Sequence, residues 1–325
     1  MVREEVLAAL EQRRGDYISG EALAEQLGVS RAAVWKTIDR LRTEGLCIDA
    51  VPGSGYQLRA SDDSLTEAAV RTGLRTEALG RGLLVLQEAD STNTLLKRTY
   101  PTAPHGFTVI AGQQTAGRGR LGRSFISPPG GGLYMSMLLR PNLPLSHLNF
   151  LTITAAVAVC HAVEETCGFT PGIKWVNDIF MEGRKLCGIL TEASIEGETG
   201  SVDFAVLGIG INLRLDRDKL PPEVREVAGC LADFCDTPPR RATLASAILN
   251  HVEDGYKLLC TEGAGALIGQ YRSLLCMLGR LVRVTGPHGS YAAETLDIDE
   301  NGHLLVRTED GETRTLSTGE VSIRL

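Results

Sequence analysis

The stretch Ala116-Gly117-Arg118-Gly119-Arg120-Leu121-Gly122-Arg123 has two readings, and the choice between them decides the fold. It matches G-x-G-x-x-G, the dinucleotide fingerprint, which needs a strand running straight into the loop and a helix leading out of it. Phe107 to Ala111 reads as a strand, but Gln113-Gln114-Thr115 intervenes. After the loop comes Ser127-Pro128-Pro129-Gly130-Gly131-Gly132, and adjacent prolines followed by glycines do not open a helix. The Rossmann reading therefore fails. What remains is a glycine loop whose arginines present forked donors suited to phosphate or carboxylate.

Working outward, residues 1–60 read as three helices and a hairpin. Val6, Leu7 and Leu10 form an apolar stripe, and Ser19 caps a helix carrying Leu23 and Leu27. Gly28-Val29-Ser30 is a tight turn into a helix with Val34, Ile38 and Leu41 inward. This is helix-turn-helix spacing. Leu46 to Val51 and Tyr56 to Leu58, joined by Pro52-Gly53-Ser54-Gly55, read as a wing. The third helix carries Arg31, Lys36, Arg40 and Arg42 against one acid, Asp39, which suits a major groove lined with phosphates. Ser30, Arg31, Lys36 and Arg40 are the candidate DNA contacts. Trp35 and Tyr56 read as packing between helix and wing.

Ser61 to Ser64 is a polar linker. Residues 65–275 then read as a mixed α/β unit, with strands at 83–87, 108–111, 133–139, 173–175, 179–181, 185–194 and 202–211 and long helices at 148–166 and 243–260. Hairpin turns such as Glu182-Gly183-Arg184 point to an α+β mixed sheet and not to βαβ repeats. From 276 to 325 the strands are short (281–285, 291–298, 303–308, 313–316, 321–325), the pattern of a small β-barrel.

The 325 residues are 43% hydrophobic and 22% charged, with net charge −7, which marks an ordinary globular protein and excludes a generally basic nucleic-acid coat. No apolar run approaches the ~20 residues of a membrane span, and Met1-Val2-Arg3-Glu4-Glu5 lacks a signal-peptide core. The eight cysteines form no C-x-x-C pair and read mostly as buried free thiols of a reducing cytoplasm.

Four more segments carry polar groups where chemistry is built: Asp90-Ser91-Thr92-Asn93 after a strand, Lys174-Trp175-Val176-Asn177-Asp178, Arg184-Lys185-Leu186-Cys187-Gly188-Ile189-Leu190-Thr191-Glu192, and Leu207-Gly208-Ile209-Gly210-Ile211-Asn212-Leu213. Each alone has an ordinary reading as an N-cap, a strand end, an edge lysine or a packed glycine strand. In this order, with the Gly117–Arg123 loop, the whole chain resembles the biotin protein ligases, and within them the bifunctional kind that is both ligase and biotin-operon repressor. Two positions depart from the family pattern: Val176 stands where proline is usual, and Phe125 where tryptophan is usual.

The resemblance implies a winged helix-turn-helix at 1–60, a ligase core of the biotin/lipoate type at 65–275, and an SH3-like barrel at 276–325. It implies an enzyme that joins biotin to ATP and transfers biotin to one lysine of a biotin carboxyl carrier protein. ATP and biotin are its substrates, with Mg²⁺ near Asp178. Ser91, Thr92, Asn93, Gln114, Arg118, Gly119, Arg120, Lys185 and Gly188 are the implied biotin contacts. Arg120, Arg123, Asn177, Asp178 and Asn212 would face the nucleotide, and Lys185, Arg118 and Arg120 would be catalytic. Operator DNA, a homodimer formed on adenylate binding, a cytoplasmic location and no membrane partner complete the expectation. The residues leave open a lipoate-type ligase, a ligand-sensing regulator without turnover, and a ligase that binds no DNA.

Overall fold

A computed structural model describes residues 2–141, 144–195, 202–286, 289–317 and 320–322. The chain forms two compact units, residues 1–75 with 239–246, and residues 76–238 with 247–325. The core and the C-terminal strands thus share one unit, while a short segment near 240 belongs with the first.

In the first unit, α1 (Val2–Gln12), α2 (Gly20–Leu27) and α3 (Arg31–Thr43) precede an antiparallel hairpin of β1 (Ile48–Val51) and β2 (Gly55–Leu58), and α4 (Glu67–Thr72) follows. The turn between α2 and α3 is made by its caps. Ser19 Oγ accepts from Ala22 N at 3.0 Å, Gly28 closes α2 at φ 64°, and Ser30 Oγ accepts from Ala33 N at 3.2 Å. Val6, Leu10, Leu23, Val34, Ile38, Leu41 and Leu58 form one core, with Tyr56 packed against it. Trp35 does not join it. The ring is 57% exposed, because Trp35 lies about 100° around α3 from Val34 and off the buried stripe.

The second unit is built on a seven-stranded mixed sheet of β3 (Leu83–Leu86), β4 (Thr108–Ala111), β5 (Gly132–Leu139), β6 (Gly172–Lys174), β7 (Asp178–Met181), β8 (Arg184–Ile195) and β9 (Val202–Asn212), in the order β3-β4-β5-β9-β8-β7-β6. Only β3 and β4 pair in parallel. On one face α5 (Thr92–Thr99) buries Leu96 against Val109, Leu138, Phe204 and Val206. On the other lies α6 (Asn149–Cys167), where Thr152 Oγ1 meets Thr191 Oγ1 at 2.7 Å. α6 corrects the expectation that no run nears a membrane span: its 19 residues are long and apolar enough, but it is mostly buried inside the protein. Then come α7 (Pro222–Arg225), α8 (Arg241–Glu262) and α9 (Ala264–Leu274).

β10 (Leu281–Gly286), β11 (Gly289–Ile298), β12 (Leu304–Thr308), β13 (Thr313–Leu316) and β14 (Glu320–Ser322) form a five-stranded antiparallel sheet ordered β13-β12-β11-β10-β14. The expected final strand extends to 325, and residues 323–325 lie outside the described residues. Of the cysteines only Cys160, Cys187 and Cys230 are buried. Cys47 and Cys260 are exposed, so the expectation of mostly buried thiols is corrected.

One buried carboxylate fixes the start of this unit. Glu253 accepts from the backbone N–H groups of Glu77, Ala78 and Leu79 at 2.6, 2.8 and 2.9 Å. Burial alone would push its carboxyl up, but these donors and Lys257 outweigh it and hold it below the ordinary range. A lowered folded pKa gives stability that is full above the unfolded pKa and is lost as pH falls through the folded one. Glu253→Gln should therefore cost about 1–3 kcal/mol at neutral pH. In urea titrations its deficit against wild type should shrink as the pH is lowered into the acid range.

Candidate functional site

The α5 face of the sheet holds a cavity of about 380 Å³. Its polar end is built by the turn from β3 into α5. Ser91 caps α5, and Ser91, Thr92 and Asn93 are all nearly buried. The ordinary N-cap reading and the functional one thus describe the same residues. Gln114 Oε1 accepts from Thr92 N at 2.9 Å and from Thr92 Oγ1 at 3.2 Å, and Gln114 Nε2 donates to Ser127 Oγ at 2.9 Å. Ser136 of β5 lies beneath, its Oγ 2.7 Å from Thr92 Oγ1 and 2.6 Å from Asn93 Oδ1. These groups form a fixed array of donors and acceptors suited to a neutral, hydrogen-bonding ring.

The other end is charged. Lys185 opens β8, its backbone held by Val227 O and Gly229 N at 2.7 and 2.9 Å. Its Nζ lies 2.7 Å from Asp178 Oδ1. Asn177 is tied to β8 through Ile189, with Nδ2 donating to Ile189 O at 2.8 Å, and its Oδ1 accepts from Arg120 Nη1 at 2.9 Å. Tyr271 OH donates to Val176 O at 3.0 Å, and Trp175 Nε1 donates to Gly302 O at 2.9 Å, so Trp175 is a wall. The Trp175–Val176 peptide is cis. Cys187, two residues from Lys185, is buried. Its thiol is pushed far above the ordinary range, so it stays protonated and is no nucleophile.

The glycine loop covers both ends. Arg120–Gly122 is a single turn and no helix follows it, as the rejection of the Rossmann reading requires. Gly119 N donates to Arg123 O at 2.7 Å and Phe125 N to Gly117 O at 2.9 Å, which folds the loop back on itself. Leu121 at its tip has φ 54° and is 76% exposed, a left-handed conformation that costs a leucine about 1–3 kcal/mol.

Ser91, Thr92, Asn93, Gln114, Arg118, Gly119, Arg120, Arg123, Asn177, Asp178, Lys185 and Gly188 all line this one cavity. Among the described residues five cations, Arg118, Arg120, Arg123, Lys174 and Lys185, face one lining acid, Asp178. That balance suits a polyanion. Asn212 is not part of it. Its side chain is buried and donates to Gly229 O at 2.9 Å, because the segment after α7 crosses over that end of β9. The sequence gives no role to Glu192, which ends its third polar segment, and does not point to Ser136 or Lys97, nor to Thr285 and Val321, which reach the cavity from the C-terminal sheet. Phe125 keeps an apolar ring in the lining, edge-on to Tyr134 with centroids 6.4 Å apart.

The DNA candidates lie in the first unit. Ser30, Arg31, Lys36 and Arg40 are all exposed on α3. The Ser30 hydroxyl is engaged in capping, and Arg40 Nε donates to Glu44 Oε1 at 2.9 Å.

Residues 85–212 match the biotin/lipoate A/B protein ligase family, residues 2–57 an HTH domain, and residues 277–324 the biotin protein ligase C-terminal domain. The chain is 36% identical over 311 residues to the bifunctional ligase/repressor BirA of Bacillus subtilis, covering 95% of each. It is 32% identical to the biotin–[acetyl-CoA-carboxylase] ligase of Mycobacterium tuberculosis, covering 80% of this chain and 97% of that one. Among solved structures, the biotin protein ligase of Aquifex aeolicus in complex with biotin and ATP superposes with a TM-score of 0.65 at 30% identity, covering 75% of this chain and 99% of the other.

Proposed function

Because this chain belongs to the biotin protein ligases of the bifunctional ligase/repressor kind, we propose that its cavity seats biotin against Ser91, Thr92, Asn93 and Gln114 and delivers the carboxylate to Lys185. The enzyme joins biotin to ATP. A carboxylate oxygen bonds to the α-phosphorus and pyrophosphate leaves. The carrier's lysine amine then attacks the acyl carbon and AMP leaves. Negative charge grows on the phosphoryl oxygens in the first step, so fixed cations beside them do most of the work. The single observation that carries this reading is the cavity's division into a neutral polar end and an end with five cations against Asp178. Lys185 neutralises charge between carboxylate and α-phosphate, Arg118 and Arg120 close over the adenylate, and Arg123, Asn177 and Asp178 face the nucleotide. Asn212 has no role at the nucleotide in this reading.

Among the described residues no cluster of three His, Cys, Asp or Glu forms a metal cage. That fits Mg²⁺, which keeps its waters and takes one or two carboxylates plus substrate phosphates. Asp178 would be its protein ligand, and the ion would add charge neutralisation on the phosphates. Exchange of labelled pyrophosphate into ATP, dependent on biotin, tests the enzyme reading. Free biotin-independent exchange, or none, overturns it.

The N-terminal unit binds operator DNA and the carrier protein is the acyl acceptor. Adenylate binding orders the glycine loop and favours a homodimer that sets two wings on a palindromic site. Sedimentation with biotin and ATP should then show a rise to twice the mass. Exposed free thiols at Cys47 and Cys260 fit a reducing cytoplasm.

On α3, Trp35 is the one large apolar side chain among exposed Arg31, Ala32, Lys36 and Asp39. Facing a major groove, such a ring meets thymine methyl groups. Trp35→Ala should weaken binding to duplexes selected from a random library by roughly tenfold, with the unfolding midpoint unchanged. Lys36→Ala should instead lower the salt slope by about one.

A further inference from the structure

Glu192 lies outside the cavity lining yet holds two groups that build it, Asn93 and Arg118, and a third beside them, Lys97. Lys97 Nζ of α5 lies 2.6 Å and Arg118 Nη1 of the loop 3.1 Å from the same oxygen, Oε1, and Asn93 Nδ2 donates to Oε2 at 2.9 Å. The β period places Glu192 on the cavity face of β8, in line with Gly188 and Leu190. The carboxylate is 17% exposed against 47% for the Arg118 side chain. The Arg118 contact runs from the exposed glycine loop to a largely buried point on the central sheet.

We propose that Glu192 is a positioning residue, a strap point that holds Arg118 over the biotinyl end of the site and so retains the bound adenylate. Nothing else described ties the Arg118 side chain to the sheet, whereas Arg120 is tied separately through Asn177. Lys97 leaves the carboxylate with a second cation, so the site around it is not negative when Arg118 swings away to admit ligand. Burial pushes the Glu192 carboxyl up, but Lys97, Asn93 and Arg118 outweigh it and keep it ionised near neutral pH.

The inference rests on the reading that this cavity holds an adenylate, and its test separates the two. Wild type, Glu192→Gln, Arg118→Ala and the double variant are loaded with labelled biotin and ATP, and release of biotinyl adenylate is followed by filter chase. A carboxylate merely repelling an anionic ligand would give slower release on neutralisation. The strap gives the opposite, release roughly tenfold faster in Glu192→Gln, with the rate of pyrophosphate exchange at saturation within about twofold of wild type. In the Arg118→Ala background Glu192→Gln should add nothing to release, because the glutamine oxygen still accepts from Asn93 and the Arg118 contact is already gone. Raising salt should speed release more in wild type than in Glu192→Gln, since only wild type also has the part-exposed Arg118–Glu192 pair to screen. If no variant and no wild type retains adenylate, the functional reading fails. If wild type retains it and Glu192→Gln releases it at the same rate or more slowly, or if the two substitutions add, the strap is overturned.

Discussion

Lys185→Met should lower biotin-dependent pyrophosphate exchange by about 10²–10³-fold, the size of effect seen when one fixed electrostatic group is removed from a developing anion. Lys185 Nζ is held by Asp178 at 2.7 Å, and the backbone of Lys185 is bonded on both sides by the Val227–Gly229 segment, so the ammonium is fixed before substrate arrives. Methionine keeps a straight, unbranched stem one atom shorter and removes the charge together with its N–H donors. Because that charge acts on the phosphoryl group as it reacts, kcat and kcat/KM should fall together, with little change in the KM for biotin. The side chain is 31% exposed, so the unfolding midpoint should hold. Asp178→Asn is the informative companion. It frees the ammonium and also weakens the ligand proposed for Mg²⁺, so raising Mg²⁺ should recover part of its loss, whereas Lys185→Met should gain nothing. Exchange at the wild-type rate in Lys185→Met would move the catalytic role to the loop arginines.

What the sequence made legible was local. Ser19, Gly28 and Ser30 announce the turn between α2 and α3 because a cap needs only its own neighbours. The glycine loop could be separated from a Rossmann turn because Pro128 and Pro129 forbid the helix that fold requires. The misses are long-range. Asn212 shares a face with Gly208 and Gly210 by the strand period, yet the Gly229 segment occupies its amide, and nothing near residue 212 foretells that. Ser136 is hidden in a strand that is buried on both faces, where one hydroxyl looks like an interruption. Glu192 lies seven residues beyond Lys185 on a long strand, and its partners Asn93, Lys97 and Arg118 come from two distant segments. Trp35 was the avoidable miss. The helical period alone puts it about 100° around α3 from Val34, off the buried stripe.

Gly208→Ala and Gly210→Ala should differ sharply although both lie on one face of β9. A Cβ on Gly208 would fall 2.1 Å from Asn93 Oδ1 and 2.9 Å from its Cγ. Asn93 has no room to yield: it is 4% exposed and held by Ser136 at 2.6 Å and by Glu192 at 2.9 Å. Overpacking and the broken buried hydrogen bonds together should destabilise Gly208→Ala by about 3–5 kcal/mol. The KM for biotin should rise roughly 100-fold or more, because Thr92 and Gln114 are bonded into the same array. A Cβ on Gly210 would have the Phe125 ring as its nearest neighbour, at 2.7 Å from Cε1. That ring belongs to the covering loop and is half-buried, so it can turn aside. Gly210→Ala should lose about 1 kcal/mol or less of stability and keep most of its exchange activity. Urea unfolding and biotin titration of the pair measure both effects. A Gly208→Ala protein as stable as wild type, with unchanged KM, would mean that Asn93 is free to move and is no fixed wall of the biotin site.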